Sequence, residues 1–104
     1  MAKKPKIPQA ARREVCVRLG AIPGKKVHIK CAYCDSMGFV HWPLTLKGKP
    51  SGWVMIGDLE LDHIVAIHLG GPNTANNLTL ACRPCNRSKG HKTLSDWRQS
   101  VGAH

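Results

Sequence analysis

The stretch ELDHIVAIHLGG, residues 60–71, concentrates side chains that could bind a metal ion and move a proton. Three of the six acidic residues of the chain fall within Asp58–Asp62, and two of its six histidines, His63 and His68, follow within the next six positions. Carboxylate oxygens are the hard ligands that Mg²⁺ and similar cations prefer. A histidine beside them can take a proton from water near neutral pH. The pattern therefore predicts a divalent-cation site with a neighbouring general base.

Two Cys-x-x-Cys pairs, Cys31–Cys34 and Cys82–Cys85, provide a second set of metal ligands. Four thiolates are the ligand set of a closed, tetrahedral structural zinc site. The long segment between the pairs would then be a folded unit that the metal holds at its base. A redox function is the alternative, but it would need a βαβ context and would not explain the presence of two pairs.

The excess of positive charge indicates a polyanionic partner. The 104 residues include 16 Lys and Arg against 6 Asp and Glu, a net charge of +10, and the basic residues lie mostly towards the two ends. This distribution would follow a phosphate backbone, with a solvated surface as the alternative. A metal site, a base and basic surroundings are together the components of a site that cleaves phosphodiester bonds.

The chain has the length of one small domain. We expect a flexible basic arm at residues 1–7 and a single domain at residues 8–104. No apolar run approaches the length of a membrane span, and the N-terminus does not resemble an export signal. We therefore expect a cytoplasmic protein with no membrane partner and with reduced thiols.

Several helices and strands can be predicted in the part of the chain that precedes the candidate site. Residues 8–19 are typical of an amphipathic helix that begins at Pro8 and stops at Gly20, with Cys16 as a small buried hydrophobe. Residues 27–34 alternate as a strand that runs into the first cysteine pair. The signal is weak over residues 35–57, where we expect a hairpin that turns at GKPSG. Trp42 and Trp53, near the ends of this hairpin, are expected in the core.

The candidate residues fall on a strand, a long loop, a strand and a helix. Residues 60–67 and 78–82 are typical of strands, residues 68–77 of a loop, and RPCNRSKG of a helix. Thr93–Asp96 resembles a capping box that opens a last helix. Because Asp62 and His63 are consecutive, a regular strand would send them to opposite faces. Both can serve one site only if the strand twists strongly or ends there.

The segment LDHIVAIHLGGPNTANNLTLACRPCNRSKG resembles HNH endonucleases, whose core is the ββα-metal, or His-Me, finger. The matching features are Asp-His on a strand, GG-x-N-x-x-N-N-L in the loop and CxxCN-x-x-K on the helix. The resemblance covers about residues 12–92. It implies an α+β fold in which a ββα-metal finger with a structural four-cysteine zinc site is flanked by an N-terminal helix and a short C-terminal helix.

The resemblance also implies roles for single residues. His63 matches the general base, Asp62 the acidic metal ligand beside it, and Asn77 the middle asparagine, which braces the loop and orients the base. Asn86 occupies the last motif position, where many members have histidine, so the pattern is H-N-N. An asparagine oxygen is a harder ligand than imidazole, which favours Mg²⁺ or Mn²⁺ as the catalytic ion.

Other polar residues near the motif have less specific expectations. Glu60 is either a neighbour of the metal ligands or a salt-bridge partner. His68 is expected to be a loop residue, and His91 is the weaker candidate for the missing motif histidine. Gly70 and Gly71 are expected to serve backbone conformation. The expected DNA contacts, with solvated surface charge as their alternative, are Arg83, Arg87, Lys89 and Lys92.

The resemblance implies a metal-dependent endonuclease that acts on double-stranded DNA by a one-metal mechanism. The alternative is a zinc-stapled DNA-binding module without catalysis, which would need neither Asp62 nor His63. Small stand-alone members of the family imply a setting near phage genome packaging, with packaging proteins as partners, or in host restriction. We expect a monomer.

Overall fold

The computed structural model describes residues 6–101, and residues 1–5 and 102–104 lie outside this part. The predicted arm, residues 1–7, therefore falls almost entirely outside the described residues, and its boundary with the domain stays a prediction. The described α-helices and strands are α1 (Gln9–Arg18), β1 (Lys26–Lys30), β2 (Met37–His41), β3 (Thr45–Leu46), β4 (Lys49–Pro50), β5 (Met55–Gly57), β6 (Glu60–His63), β7 (Leu78–Ala81), α2 (Arg83–Lys89) and α3 (Leu94–Ser100). Two short 3-10 helices, Ile67–Leu69 and Ala75–Asn77, lie between β6 and β7.

Helix α1 confirms the predicted N-terminal helix to within one residue at each end. Pro8 immediately precedes it, where a residue without a backbone N–H is tolerated. Gly20 follows the end of the helix with a φ of 115°, which favours glycine. Val15 and Cys16 face the core with no solvent exposure. The predicted burial of Cys16 is confirmed, and burial raises the pKa of its thiol.

An antiparallel sheet with the order β1-β2-β5 follows the helix, with Val27 opposite Val40 and Phe39 opposite Gly57. The strand predicted over residues 27–34 ends at Lys30, because Cys31 already belongs to a turn. A Cβ at position 57 would overlap the Phe39 ring, so glycine is needed there for close packing.

The segment with the weak sequence signal contains strand β2 and a small hairpin of β3 and β4. Leu46 pairs with Lys49, so the chain turns at Lys47 and Gly48, both of which have positive φ. The predicted turn at GKPSG is therefore placed too late, since Lys49 and Pro50 already form β4. Trp53 lies beyond this hairpin and is 48% exposed, so its expected place in the core is wrong.

Strands β6 and β7 pair antiparallel and lead directly into α2, which gives the ββα unit that positions the candidate site. Asp62 lies opposite Thr79, and His63 lies opposite Leu78. The strand predicted over residues 60–67 ends at His63. The reason is non-local: the backbone groups of Val65 are bonded by a side chain of the connecting loop and not by a strand.

The last helix begins as predicted. The Thr93 hydroxyl accepts a hydrogen bond from the Asp96 backbone N–H at 3.0 Å, which confirms the cap. Trp97 of this helix is buried and packs edge-on against Tyr33, with 5.2 Å between ring centroids. Its indole N–H donates to the Ser88 hydroxyl at 2.9 Å. Helix α3 therefore covers the end of α2 and the first cysteine pair.

The hydrophobic core lies between α1, the first sheet and the ββα unit. Its apolar members include Ile29, Val40 and Leu80, and the same cluster contains Cys31 and Cys82. The cysteine cluster is thus continuous with the core. The predicted α+β class, with a ββα unit, flanking helices and a cysteine cluster consistent with zinc, is confirmed.

Candidate active site and metal centre

The two cysteine pairs meet at one point, between the turn after β1 and the start of α2. The Sγ atoms of Cys31, Cys34, Cys82 and Cys85 all lie within 4.8 Å of one another. The Sγ atoms of Cys34 and Cys82 are 3.6 Å apart. Zinc–sulfur bonds of about 2.3 Å in a tetrahedron place sulfurs about 3.8 Å apart. The donor set and its spacing fit a zinc ion.

Hydrogen bonds and charge at the cluster also favour a bound cation. The Cys82 backbone N–H donates to Cys31 Sγ at 3.2 Å. Hydrogen bonds from Ser36 lower the pKa of Cys34 to about 6. Burial, together with the neighbouring sulfurs, raises the pKa of Cys85. Four thiolates this close repel one another, so a cation is needed for all four to be ionised together.

Asp62 is buried, at 5% exposure, on the face of β6 that meets α2. Its Oδ2 accepts a hydrogen bond from the Tyr33 hydroxyl at 2.7 Å and lies 3.4 Å from the Lys89 ammonium. Burial, and then the bond to Asp62, raise the pKa of Tyr33, so the phenol keeps the proton that it donates. Oδ1 accepts no hydrogen bond from residues 6–101 and is left for another ligand.

Lys89 lies beneath the site, with 0% exposure. Besides Asp62, its ammonium donates to the backbone carbonyl of His63 at 2.9 Å. This placement contradicts the expected phosphate contact, because a wholly buried ammonium does not meet DNA at the surface. Lys89 instead connects α2 to the end of β6, where it neutralises a buried carboxylate.

His63 faces away from Asp62. Its Nε2 lies 2.8 Å from Asn73 Oδ1, and its ring, at 8% exposure, lines a cavity with Arg12 and Trp53. The two consecutive residues thus contact different surroundings, as expected for a strand. Strand β6 ends at His63, immediately after Asp62. Of the two conditions for a shared site, a strong twist of the strand or its end at these residues, the second is therefore met.

Asn77 braces the loop that follows His63. Its Oδ1 accepts from the Val65 N–H at 2.9 Å, and its Nδ2 donates to the Val65 and Pro72 carbonyls at 2.9 and 2.8 Å. Gly71 lies against this bridge, where a Cβ would overlap the Val65 carbonyl oxygen. These contacts explain why an asparagine and a glycine stand here, whereas a part for Asn77 in catalysis stays a prediction.

Asn86, on α2, is partly exposed beside the face of β6 that carries Asp62. Its Nδ2 donates to Glu60 Oε1 at 3.0 Å, which turns the Asn86 Oδ1 away from the Glu60 carboxylate. The Asn86 Oδ1 makes no hydrogen bond within residues 6–101. Glu60 Oε2 also lies 3.9 Å from the Arg83 guanidinium. Glu60 therefore has both features expected of it, a contact with a candidate ligand and an ion pair.

The remaining candidates lie at the surface. Arg83, Arg87 and Lys92 are exposed, as a phosphate contact requires. His68 and His91 are also exposed and lie near each other, with 5.9 Å between ring centroids. Asp58 is exposed in the turn before β6 and takes no part in the site.

Two residues of the site were missed by sequence reasoning. Asn73 contacts the His63 ring, and its only signal was its place in the GG-x-N pattern of the loop. Tyr33 lies inside the first cysteine pair and reaches a carboxylate 29 positions away, a contact without any local signal.

A braced hairpin and a helix that present an imidazole, a carboxylate and an amide beside a cysteine cluster define a ββα-metal finger. A family model described as HNH endonuclease matches residues 31–92, more than half of the chain. The chain belongs to the HNH endonuclease family.

A curated protein supports this assignment. The chain is 31% identical over 78 residues to the CRISPR-associated endonuclease Cas9 of Corynebacterium diphtheriae, and the match covers 74% of this chain. It spans only 6% of that much longer relative. No solved structure matches the chain. Among the described residues, no helix is both long and apolar enough to cross a membrane.

Proposed function

We propose that this protein is a metal-dependent DNA endonuclease that hydrolyses phosphodiester bonds with His63 as general base. The observation that carries the proposal is strand β6, which ends at a buried imidazole and carries Asp62 and Glu60, the second of them bonded to Asn86 of α2. Membership in the HNH endonuclease family supports the same activity.

Asp62 and Asn86 would hold the catalytic cation. Each has one oxygen without a hydrogen bond among the described residues, and both oxygens are hard ligands. Mg²⁺ binds through one or two protein oxygens together with waters and substrate phosphate. The donor set fits Mg²⁺ or Mn²⁺. Such an ion, when bound, would offset the negative charge that develops on the phosphate and on the leaving oxygen.

His63 would activate the water. Its ring takes a proton from a water molecule, and the electron pair of the broken O–H bond stays on the water oxygen. That oxygen forms a bond to phosphorus while the bond from phosphorus to the leaving oxygen breaks, and the leaving oxygen carries away the electron pair. The scissile phosphate would lie across the end of β6, within reach of both faces of the strand.

The DNA would lie along two basic surfaces beside this point. One is the cavity in front of His63, which is lined by Lys6, Arg12 and Trp53 among others. Gln9 also lines it, and its Nε2 is buried without a hydrogen-bond partner among residues 6–101. The other surface is the exposed side of α2 and the turn after it, with Arg83, Arg87 and Lys92.

The test is conversion of supercoiled plasmid to nicked or linear DNA by zinc-loaded protein with Mg²⁺ or Mn²⁺. We expect cleavage by wild type, and a loss of about 100-fold or more in His63→Ala. His68→Ala is the matched control, because His68 is an exposed histidine of the segment that follows His63, and it should cleave like wild type. Circular dichroism and zinc content would establish that both variants are folded.

The opposite outcome would favour the alternative function. A band shift without cleavage, under every divalent metal tried, would identify a DNA-binding module without catalysis. The setting near phage genome packaging, packaging proteins as partners and a monomeric state are further parts of the proposal that rest on analogy alone.

A further inference from the structure

The side chain of Asn73 is the one hydrogen-bonding partner of the His63 ring among the described residues. The distance from His63 Nε2 to Asn73 Oδ1 is 2.8 Å, and the two residues are ten positions apart. Asn73 also reaches the N-terminal segment, since its Nδ2 donates to the backbone carbonyl of Lys6 at 3.0 Å. The residue thus connects the loop, the base and the segment that precedes α1.

The second of these contacts fixes the orientation of the Asn73 amide. A backbone carbonyl oxygen accepts hydrogen bonds and never donates them. The Asn73 amide must therefore turn its NH₂ group towards Lys6 and its oxygen towards His63. If the amide were reversed, its oxygen would face the Lys6 carbonyl oxygen, and its NH₂ group would face His63 Nε2.

The orientation of the amide in turn fixes the proton on the ring. An amide oxygen is an acceptor, so the nitrogen facing it, Nε2, must carry a hydrogen. In a neutral imidazole the lone pair is then on Nδ1. The bond to Asn73 therefore selects one of two tautomers that are close in energy for a free imidazole.

We propose that Asn73 is a positioning residue that holds His63 in the Nε2-protonated tautomer, with Nδ1 as the atom that takes the proton from water. This inference rests on the proposed function only for its catalytic consequence. Its role differs from that of Asn77, which bonds only backbone groups of the loop. Asn73 touches the imidazole itself.

Kinetics test the consequence for catalysis. Asn73→Ala should lower kcat for plasmid cleavage by about 10- to 100-fold, as expected for a residue that orients a functional group, with KM for DNA unchanged. Asn73→Asp keeps an acceptor oxygen for Nε2–H and should recover most of this loss. Asn76→Ala is the matched control, an exposed asparagine of the same loop whose side chain is hydrogen-bonded, among residues 6–101, to Thr74 alone. Wild-type kcat in Asn73→Ala, or equal losses in the Ala and Asp variants, would overturn the proposal.

The tautomer of the His63 ring can be determined without measuring DNA cleavage. Long-range ¹H–¹⁵N correlation spectra of zinc-loaded, ¹⁵N-labelled protein distinguish the protonated from the unprotonated ring nitrogen, and His63→Ala identifies the signals of His63. We expect Nε2–H in wild type and in Asn73→Asp, and a mixture of tautomers in Asn73→Ala. Nδ1–H in wild type, or an unchanged spectrum in Asn73→Ala, would contradict the inference. Absence of cleavage by wild type would count against the proposed nuclease alone, since the spectra would still decide the tautomer.

Discussion

At the scale of single residues, Lys89 is the unusual member of the site, because lysine is almost never fully buried unless it is paired. Its ammonium is compensated on two sides, by Asp62 Oδ2 at 3.4 Å and by the His63 carbonyl at 2.9 Å. The first contact neutralises a candidate metal ligand, and the second holds the backbone of the candidate base. Lys89 therefore connects the two halves of the site from inside the protein.

Removing this ammonium should be costly. Lys89→Met keeps the length of the side chain but leaves the Asp62 carboxylate buried without its cation, which costs about 3–5 kcal/mol in comparable pairs. Lys92→Met, at an exposed lysine of the turn after α2, should change stability by less than about 0.5 kcal/mol. Urea unfolding of both variants in the presence of zinc measures the difference. Equal unfolding midpoints for the two variants would show that the buried pair contributes nothing.

Single residues also mark where sequence reasoning reached its limit at the site. The motif residues Asp62, His63, Asn77 and Asn86 could be found because they lie at fixed positions around two strands and a helix. Asn73 and Tyr33 could not be assigned in this way. Their contacts depend on groups brought near by folding, and the bond from Asn73 to Lys6 joins residues 67 positions apart.

At the scale of elements, the predictable parts of the fold were those with a local signal. Helix α1 lies between a proline and a glycine, and α3 begins at a capping threonine, so both boundaries follow from the chain itself. Strand β6 is different. Its end is set by the Asn77 side chain, which occupies the backbone groups of Val65, and a hydrophobic pattern that continues to residue 67 cannot reveal this.

The hairpin of β3 and β4 shows a second limit. Its strands have two residues each, and all four of these residues are exposed, so no alternation of buried and exposed residues marks them. The strand β2 was missed for a similar reason. Two of its five positions are buried, one of them a glycine that packs against Leu59, and this leaves a weak hydrophobic pattern.

The cysteine cluster joins these elements, and its response to pH can be predicted. Hydrogen bonds from Ser36 hold the pKa of Cys34 at about 6, below the usual 9.0 for a thiol. A lowered pKa favours the thiolate in the folded protein. The stability that this shift gives the folded protein is therefore fully present above the thiol pKa of the unfolded chain. It is lost as the pH falls through about 6. Because zinc needs thiolates and protons compete with it for them, we expect acidification to release the metal and unfold the domain.

Ser36→Ala should raise the pKa of Cys34 and move zinc release to a higher pH. The variant keeps the backbone N–H that donates to Cys34 Sγ at 3.4 Å and loses only the hydroxyl, so the midpoint should rise by less than about one pH unit. Ser95→Ala, at an exposed serine of α3, is the control and should release zinc at the wild-type pH. A metal-sensitive dye measures the release as the pH is lowered. Coincident release curves for the two variants would show that Ser36 does not stabilise the thiolate.

At the scale of the whole molecule, three of the six acidic residues lie beside a basic side chain. Asp35 pairs with Lys30 at 2.9 Å, Glu60 lies near Arg83, and Asp62 is held by the buried Lys89. The net charge is +10, and most of the basic residues that the structure describes are exposed. A basic exterior around a small, partly buried acidic site suits the proposed function, in which the protein attracts DNA and binds a cation.

This charge distribution predicts a steep dependence of DNA binding on salt. The logarithm of the binding constant should fall with the logarithm of salt concentration, with a slope of about −0.9 for each phosphate that the protein neutralises. Arg87→Gln removes an exposed charge from α2 and should reduce the magnitude of the slope by about one. Lys30→Gln removes a charge that Asp35 already compensates, so it is the matched control and should leave the slope unchanged. The slopes are measured by fluorescence anisotropy in His63→Ala protein, which should bind without cutting. The three proteins are His63→Ala alone and His63→Ala with either Arg87→Gln or Lys30→Gln. A common slope for the three proteins would place Arg87 outside the DNA interface and move the expected contact to the cavity in front of His63.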